Sequence, residues 1–158
     1  MSKQRVYVTD YEYESLDLER EIIEEVGAEL IPKQLRSASV EEVIEECRDA
    51  DALLNQYLEI DRRILEGLER LKVVARYGIG VDNVDIEAAT ENGVYVVNVP
   101  DYHVEEVSDH AVALLLEGAR KTAFYDRQIR NGSWDYKEGK PIRRMEGKTL
   151  GIIGFGKI

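Results

Sequence analysis

Two glycine pairs, each split by a single residue, are the sharpest chemical signals in this chain: Gly78-Ile79-Gly80 and Gly154-Phe155-Gly156. The second follows an apolar run, Gly151-Ile152-Ile153, as a strand does when it delivers a phosphate to backbone N–H groups. A third glycine of that turn would fall one position past residue 158. In a dinucleotide fold the turn opens a helix, and a carboxylate for the ribose follows about 20 residues later. The chain therefore reads as the front part of a longer nicotinamide enzyme. The first pair lies in residues 76–85, RYGIGVDNVD. A glycine turn there can aim N–H groups at a carboxylate without help from a side chain, with Asp82 and Asn83 bracing it through side-chain-to-backbone bonds. On spacing alone, a plain tight turn explains the pair equally well.

Three other groups of residues could carry chemistry. Asn55-Gln56-Tyr57 is an uncharged loop that either offers hydrogen bonds to a small polar ligand or satisfies its own backbone. The run Asp10-Tyr11-Glu12-Tyr13-Glu14 is too rich in carboxylates to hold phosphate or flavin. His103 and His110 stand seven apart, on one helix face, where they could mark proton transfer. No carboxylate is fixed beside them, and two histidines do not make a metal site, so structural hydrogen bonding is expected of both. Lys140, Arg143 and Arg144 read as a solvated arm, and Cys47 as a small core residue on an amphipathic helix.

The elements that must position these residues alternate strand and helix. Strands are expected over residues 6–9, 28–32, 51–55, 72–76 and 94–99. Between them, Leu18, Ile22, Ile23 and Val26 have helical spacing closed by Gly27, and Ser39, Asp61 and Asp85 are helix caps. Five strands with helical crossovers imply an α/β domain with a doubly wound parallel sheet, both faces covered, in the flavodoxin-like order 2-1-3-4-5. In such a sheet ligands sit at the carboxyl ends of the strands. A phosphoacceptor receiver is disfavoured, because Asn55 ends the third strand where that site needs an aspartate, and Asn98-Val99-Pro100 stands where it needs a lysine.

After Pro100 the pattern changes. Residues 102–131 read as one long helix, acidic in its first turn, basic in its last, and apolar nearly all round at residues 111–116. Residues 133–148 are irregular, and residues 149–155 form an orphan strand. The expected division is 1–101 for the flavodoxin-like domain, 102–132 for an interdomain and dimerisation helix, and 133–158 for an arm with the first strand of an incomplete Rossmann domain.

The net charge is −11, from 21 basic against 32 acidic residues, which argues against nucleic acid or an anionic membrane as a partner. One cysteine cannot form an internal disulfide, which fits a reducing cytoplasm. No signal pattern opens the sequence, and no stretch reaches the roughly 18 apolar residues of a membrane span.

Residues 76–121, RYGIGVDNVDIEAATENGVYVVNVPDYHVEEVSDHAVALLLEGARK, resemble the NAD-dependent D-2-hydroxyacid dehydrogenases. That family includes D-3-phosphoglycerate dehydrogenase and the C-terminal-binding-protein corepressors, and the wording of residues 94–110 is similar to the corepressor branch. The resemblance continues through Trp134, Gly147-Lys148 and the terminal glycine turn. It implies a flavodoxin-like domain that holds a small 2-hydroxy or 2-oxo acid and a Rossmann domain for NAD. It assigns substrate-carboxylate contact to Ile79 and Gly80, nicotinamide contact to Ile79, and the pyrophosphate turn to Gly154 and Gly156; with the loops read above, the candidate substrate residues are Asn55, Gln56, Tyr57, Gly78, Ile79 and Gly80. The family's catalytic arginine, glutamate and histidine lie well downstream of that turn, so no catalytic residue is assigned here, and neither His103 nor His110 is that histidine. This chain is accordingly expected to be inactive alone, to bind no NAD by itself, and to self-associate as a homodimer or swapped assembly through residues 103–131 and 149–156. The alternatives are a corepressor-like interaction module that keeps the dehydrogenase fold, and a self-standing flavodoxin-like domain.

Overall fold

A computed structural model of the chain describes residues 3–158. It divides into two compact units, one running to Pro100 and the other Asp101–Ile158.

The first unit is a parallel five-stranded sheet in the order β2-β1-β3-β4-β5, as the alternating pattern predicts. The strands are β1 (Arg5–Val8), β2 (Glu29–Pro32), β3 (Ala52–Asn55), β4 (Val73–Arg76) and β5 (Tyr95–Val97). The helices α1 (Asp17–Glu25), α2 (Val40–Cys47), α3 (Arg62–Gly67) and α4 (Ile86–Glu91) make the crossovers. The register places Tyr7 beside Leu53 and Leu53 beside Val74, all on one face. That face packs on Val43 and Cys47 of α2, Ile64 and Leu65 of α3, and Ala88 of α4. Full burial of side chains of this kind stabilises by about 1.5–3 kcal/mol each, so this layer anchors the strand ends that carry the site.

The opposite face carries a second, smaller core over β1 and β2. Val6, Val8 and Leu30 there pack with Leu16, Ala28 and the partly buried Ile23. Tyr95 and Val97 of β5 remain exposed. A single helix is too narrow to roof five strands. The expected apolar face of α1 is also largely open, with Leu18, Ile22 and Val26 exposed and only Ile23 turned to the core.

The three expected caps form. Ser39 accepts from the Glu42 N–H at 3.2 Å, Asp61 from Ile64 at 3.0 Å and Asp85 from Ala88 at 2.8 Å. Asp51, at the foot of β3, accepts the Arg5 N–H at 2.9 Å and two bonds from one Arg70 nitrogen at 2.9 and 3.0 Å. Burial alone would raise its carboxyl pKa, but the Arg5 N–H and the Arg70 guanidinium outweigh burial and hold it below the usual range. A depressed carboxyl adds stability that is present above its unfolded pKa, roughly 3.9, and lost as pH falls through the folded value. Stability measured by denaturant at stepped pH is thus expected to drop below about pH 4, and D51N should flatten that drop.

In the second unit, the single helix expected over residues 102–131 is two. These are α5 (Val104–Arg120) and α6 (Thr122–Arg130), parted at Lys121, which is left-handed at φ 59°. Glu117 causes the break. Its carboxylate takes the Thr122 hydroxyl and the Ala123 N–H (2.9 Å), capping α6, and these bonds, the hydroxyl first, pull its pKa down. The Lys121 ammonium donates to the Gly139 carbonyl at 2.8 Å, fixing the bend against a 3₁₀ turn, Tyr136–Gly139. The strand expected over residues 149–155 does not form. A strand is a ladder of bonds to a neighbour, and none of the described residues pairs with this segment. Ile152, Ile153 and Phe155 are exposed, as are Val112, Leu114, Leu115 and Leu116 of α5. No helix among the described residues is long and apolar enough to cross a membrane.

Candidate functional site

The carboxyl ends of β3 and β4 and the loops after them meet at one hollow of about 150 Å³, lined by Gln56, Tyr57, Arg76, Gly80, Asp82 and Asn83. A larger hollow of about 610 Å³ runs along α4 and β5, past Ile86, Val94 and Tyr95. It flanks the sheet rather than capping the strands, so the smaller hollow, with its polar wall, is the candidate.

Its floor is a buried hydrogen-bond network. Asp10, 1% exposed, lies just beyond β1. Its Oδ2 accepts the Tyr57 N–H at 2.8 Å, and its Oδ1 accepts the N–H groups of Leu58 at 3.2 Å and Gln56 at 3.3 Å. Asn55 is wholly buried and gives one N–H to the Leu58 carbonyl at 2.9 Å and another to the Thr9 hydroxyl at 3.2 Å. Its Oδ1 accepts from Asn83 Nδ2 at 2.8 Å, which also reaches the Leu58 carbonyl at 3.1 Å. Buried polar groups are costly unless paired, and here they pair with one another across two loops. Asn55 thus supports the hollow from below. Gln56 Oε1 accepts the Glu12 N–H at 2.9 Å. Tyr57 is half-exposed at the rim, its hydroxyl 3.1 Å from Glu12 and its ring 4.2 Å beneath the Arg36 guanidinium.

The second wall is the loop after β4. Neither Gly78 nor Gly80 has a positive φ, so a left-handed turn is not what they provide. Gly78 supplies space instead, since a Cβ there would sit 1.7 Å from Arg76 Nη1. The Arg76 guanidinium lies against this glycine, and its Nε is buried without a hydrogen-bond partner. The Gly78 N–H is spent on the Arg76 carbonyl at 2.9 Å. Among the described residues, the N–H groups of Ile79 and Gly80 donate to no acceptor. The loop is clamped by Val99 N–H to the Gly78 carbonyl at 3.0 Å and Asn98 Nδ2 to the Ile79 carbonyl at 2.7 Å. Tyr77 turns away from the hollow and stands edge-on to Tyr13. Burial, then the nearby Glu19 charge, pushes its phenol pKa up.

Two neighbouring loops thus differ in kind. Residues 56–58 have their N–H groups filled by Asp10, while residues 79 and 80 keep theirs open, and Gly80 shares the hollow's lining with Arg76. Open N–H groups near a cation suit a small anion. Sequence reasoning named both loops but assigned nothing to Arg76 or Asp10. The visible signal for Arg76 was a cation two residues before a glycine, at a strand end.

The other candidates are not drawn together. His103 stacks on Tyr102, centroids 4.2 Å apart, with Nδ1 buried and unpartnered, and so lacks the hydrogen bond expected of it; His110 is exposed. No group of His, Cys, Asp or Glu among the described residues could hold a metal. Gly154 and Gly156 lie in an irregular, exposed segment, and a Cβ at either would meet nothing within 4 Å. By itself this open segment is no closed cradle for a dinucleotide pyrophosphate. Cys47 is buried among α2 residues, and burial raises its thiol to about 11, which makes it inert.

Residues 6–150 match the family described as D-isomer specific 2-hydroxyacid dehydrogenase, catalytic domain. Over 138 residues the chain is 41% identical to a D-3-phosphoglycerate dehydrogenase of Methanocaldococcus jannaschii, covering 87% of this chain and 26% of that protein. Over 125 residues it is 42% identical to a glyoxylate reductase of Pyrococcus furiosus, covering 75% of this chain and 37% of that protein. The crystal structure of an NAD-dependent formate dehydrogenase from Staphylococcus aureus in complex with NAD superposes with a TM-score of 0.76 at 28% identity, covering 98% of this chain and 50% of that one. The chain therefore spans half or less of the length of these proteins.

Proposed function

The chain belongs to the D-isomer specific 2-hydroxyacid dehydrogenase family, and from that premise we propose that residues 1–101 are the substrate-holding domain of an NAD-dependent oxidoreductase. The reaction proposed is on the CH–OH group of a D-2-hydroxyacid, with hydride transfer to NAD. One observation carries the substrate assignment: Arg76 and Gly80 line the same hollow and the N–H groups of Ile79 and Gly80 donate to no acceptor among the described residues, while the N–H groups of residues 56–58 are already taken by Asp10. The acid's carboxylate lies on Ile79 N–H, Gly80 N–H and Arg76. Its carbonyl or hydroxyl end lies toward Gln56 and Tyr57, with Gly78 leaving room for the guanidinium and Asn55 holding the loop beneath. The Ile79 side faces the nicotinamide of the working enzyme.

Hydride transfer also needs a base for the hydroxyl proton. The hollow is lined by amides, a phenol, an arginine and Asp82, and it offers no histidine. This 158-residue chain by itself therefore binds a 2-oxo acid but does not turn it over and retains no NAD. Calorimetry with glyoxylate, pyruvate and hydroxypyruvate should show saturable binding of at least one, while NADH oxidation stays at the buffer blank. Turnover above the blank, or no binding of any 2-oxo acid, contradicts the proposal.

Residues 102–132 and 133–158 are proposed as the interdomain helix region and the start of a nucleotide domain. Large apolar side chains stand exposed there, among them Val112, Leu114, Leu115, Leu116, Ile152, Ile153 and Phe155. A surface of that kind marks a contact, so the chain pairs with a second copy through residues 103–131 and 149–156. Sedimentation should find a dimer or larger assembly at micromolar concentration, and a stable dilute monomer contradicts this. The single buried cysteine and the acidic surface support a cytoplasmic setting.

A further inference from the structure

We propose that Asp10 is a positioning residue whose carboxylate occupies the anion hole at the end of β3, which orders the Gln56–Tyr57 wall and leaves the loop at residues 79 and 80 to dock a substrate carboxylate. The inference rests on the substrate reading given above and deepens it. Three consecutive backbone N–H groups, those of Gln56, Tyr57 and Leu58, converge on one carboxylate at 3.3, 2.8 and 3.2 Å. Consecutive N–H groups that face one point make an anion site. An aspartate tied to β1 therefore takes the place that a free acid would take.

The consequence reaches the hollow by two routes. Gln56 and Tyr57 form its wall directly, and their N–H groups are the ones Asp10 holds. Thr9 offers its hydroxyl to Asp10 Oδ1 at 2.9 Å and accepts from Asn55 at 3.2 Å, and Asn55 accepts in turn from Asn83, another wall residue. All of Asp10's partners are donors, which suits a group that is acceptor-only when ionised. Asp10 is also 1% exposed, so bulk solvent does not reach its carboxylate.

The same geometry says what happens when the carboxylate is removed. D10A leaves three N–H groups around a space the size of a carboxylate. Formate should fill it. In assigned amide spectra, formate is expected to shift residues 56–58 in D10A but not in the wild type, and to raise the melting temperature of D10A alone. An aspartate that acted through packing alone would not be replaced by an exogenous anion. Formate that leaves the 56–58 amides of D10A unmoved, or moves them equally in the wild type, overturns the proposal.

If D10A does not fold even in formate, D10N decides. It keeps the shape and the Oδ1 acceptor but sets an NH₂ group against the Tyr57 N–H. A rise of threefold or more in the glyoxylate dissociation constant, with the amides of residues 79 and 80 still responding, supports the proposal; a smaller rise overturns it. Failure of the substrate reading would look different, because wild-type amides at residues 79 and 80 would then ignore glyoxylate while formate still rescued D10A.

Discussion

G78A should bind glyoxylate about ten- to a hundredfold more weakly than the wild type and still fold. A Cβ at residue 78 would lie 1.7 Å from Arg76 Nη1 and 2.6 Å from Cζ, so the guanidinium must swing out of the hollow. The obstacle is the far end of a flexible side chain, which moves without disturbing the sheet. What is lost is the cation beside the open N–H groups. A hydrogen bond to a charged group contributes about 1.5–3 kcal/mol, and about 1.4 kcal/mol is tenfold in affinity. R76A should weaken binding to the same extent. G80A is the control, because a Cβ there approaches only Asp82 Oδ2 at 3.3 Å, and affinity should stay near the wild type. Calorimetry on the three variants checks this ordering. If G78A binds as the wild type does while R76A does not, the guanidinium has another route into the hollow.

N55D should destabilise the first unit by about 3–5 kcal/mol at pH 7, the range for an uncompensated buried charge. The change is isosteric and opens no cavity. It removes the two donors that serve the Leu58 carbonyl and the Thr9 hydroxyl, and sets a carboxylate against that carbonyl in a site that is wholly buried. Asp10 is already there, bonded to the same threonine. Burial and this second carboxylate both raise the pKa of the introduced acid above its unfolded value. A raised pKa means that stability is greater below the unfolded value and lost as pH rises through the folded one. Denaturant melts of N55D should therefore recover part of the loss near pH 4, opposite in sign to the acid sensitivity that Asp51 gives the native chain. A flat difference between pH 7 and pH 4 would mean that Asn55 does not depend on its donors.

Part of this was legible in the sequence. The order of the sheet follows from strand-helix alternation, and the caps at Ser39, Asp61 and Asp85 form as their residue types require. The two loops at the strand ends were legible as places. Their division of labour was not. Asp10 opens a run of carboxylates that reads only as unfit for phosphate or flavin, and only the fold turns that first carboxylate inward to three N–H groups. Gly78 was legible as a special residue for the wrong reason, since a glycine kept for space and one kept for φ look alike in one dimension. The helix break at Lys121 was hidden because lysine is not a residue that favours left-handed backbone; it is imposed by Glu117, four residues earlier. The strand expected at residues 149–155 has the right composition, but strands are made by neighbours rather than by composition.

The most direct test of the central claim is an amide-resolved titration of the wild-type chain with glyoxylate. The account predicts saturable shifts at the N–H groups of Ile79 and Gly80, with those of Tyr57 and Leu58 silent because Asp10 already holds them. Shifts centred on residues 56–58, or no response at residues 79 and 80, would contradict it.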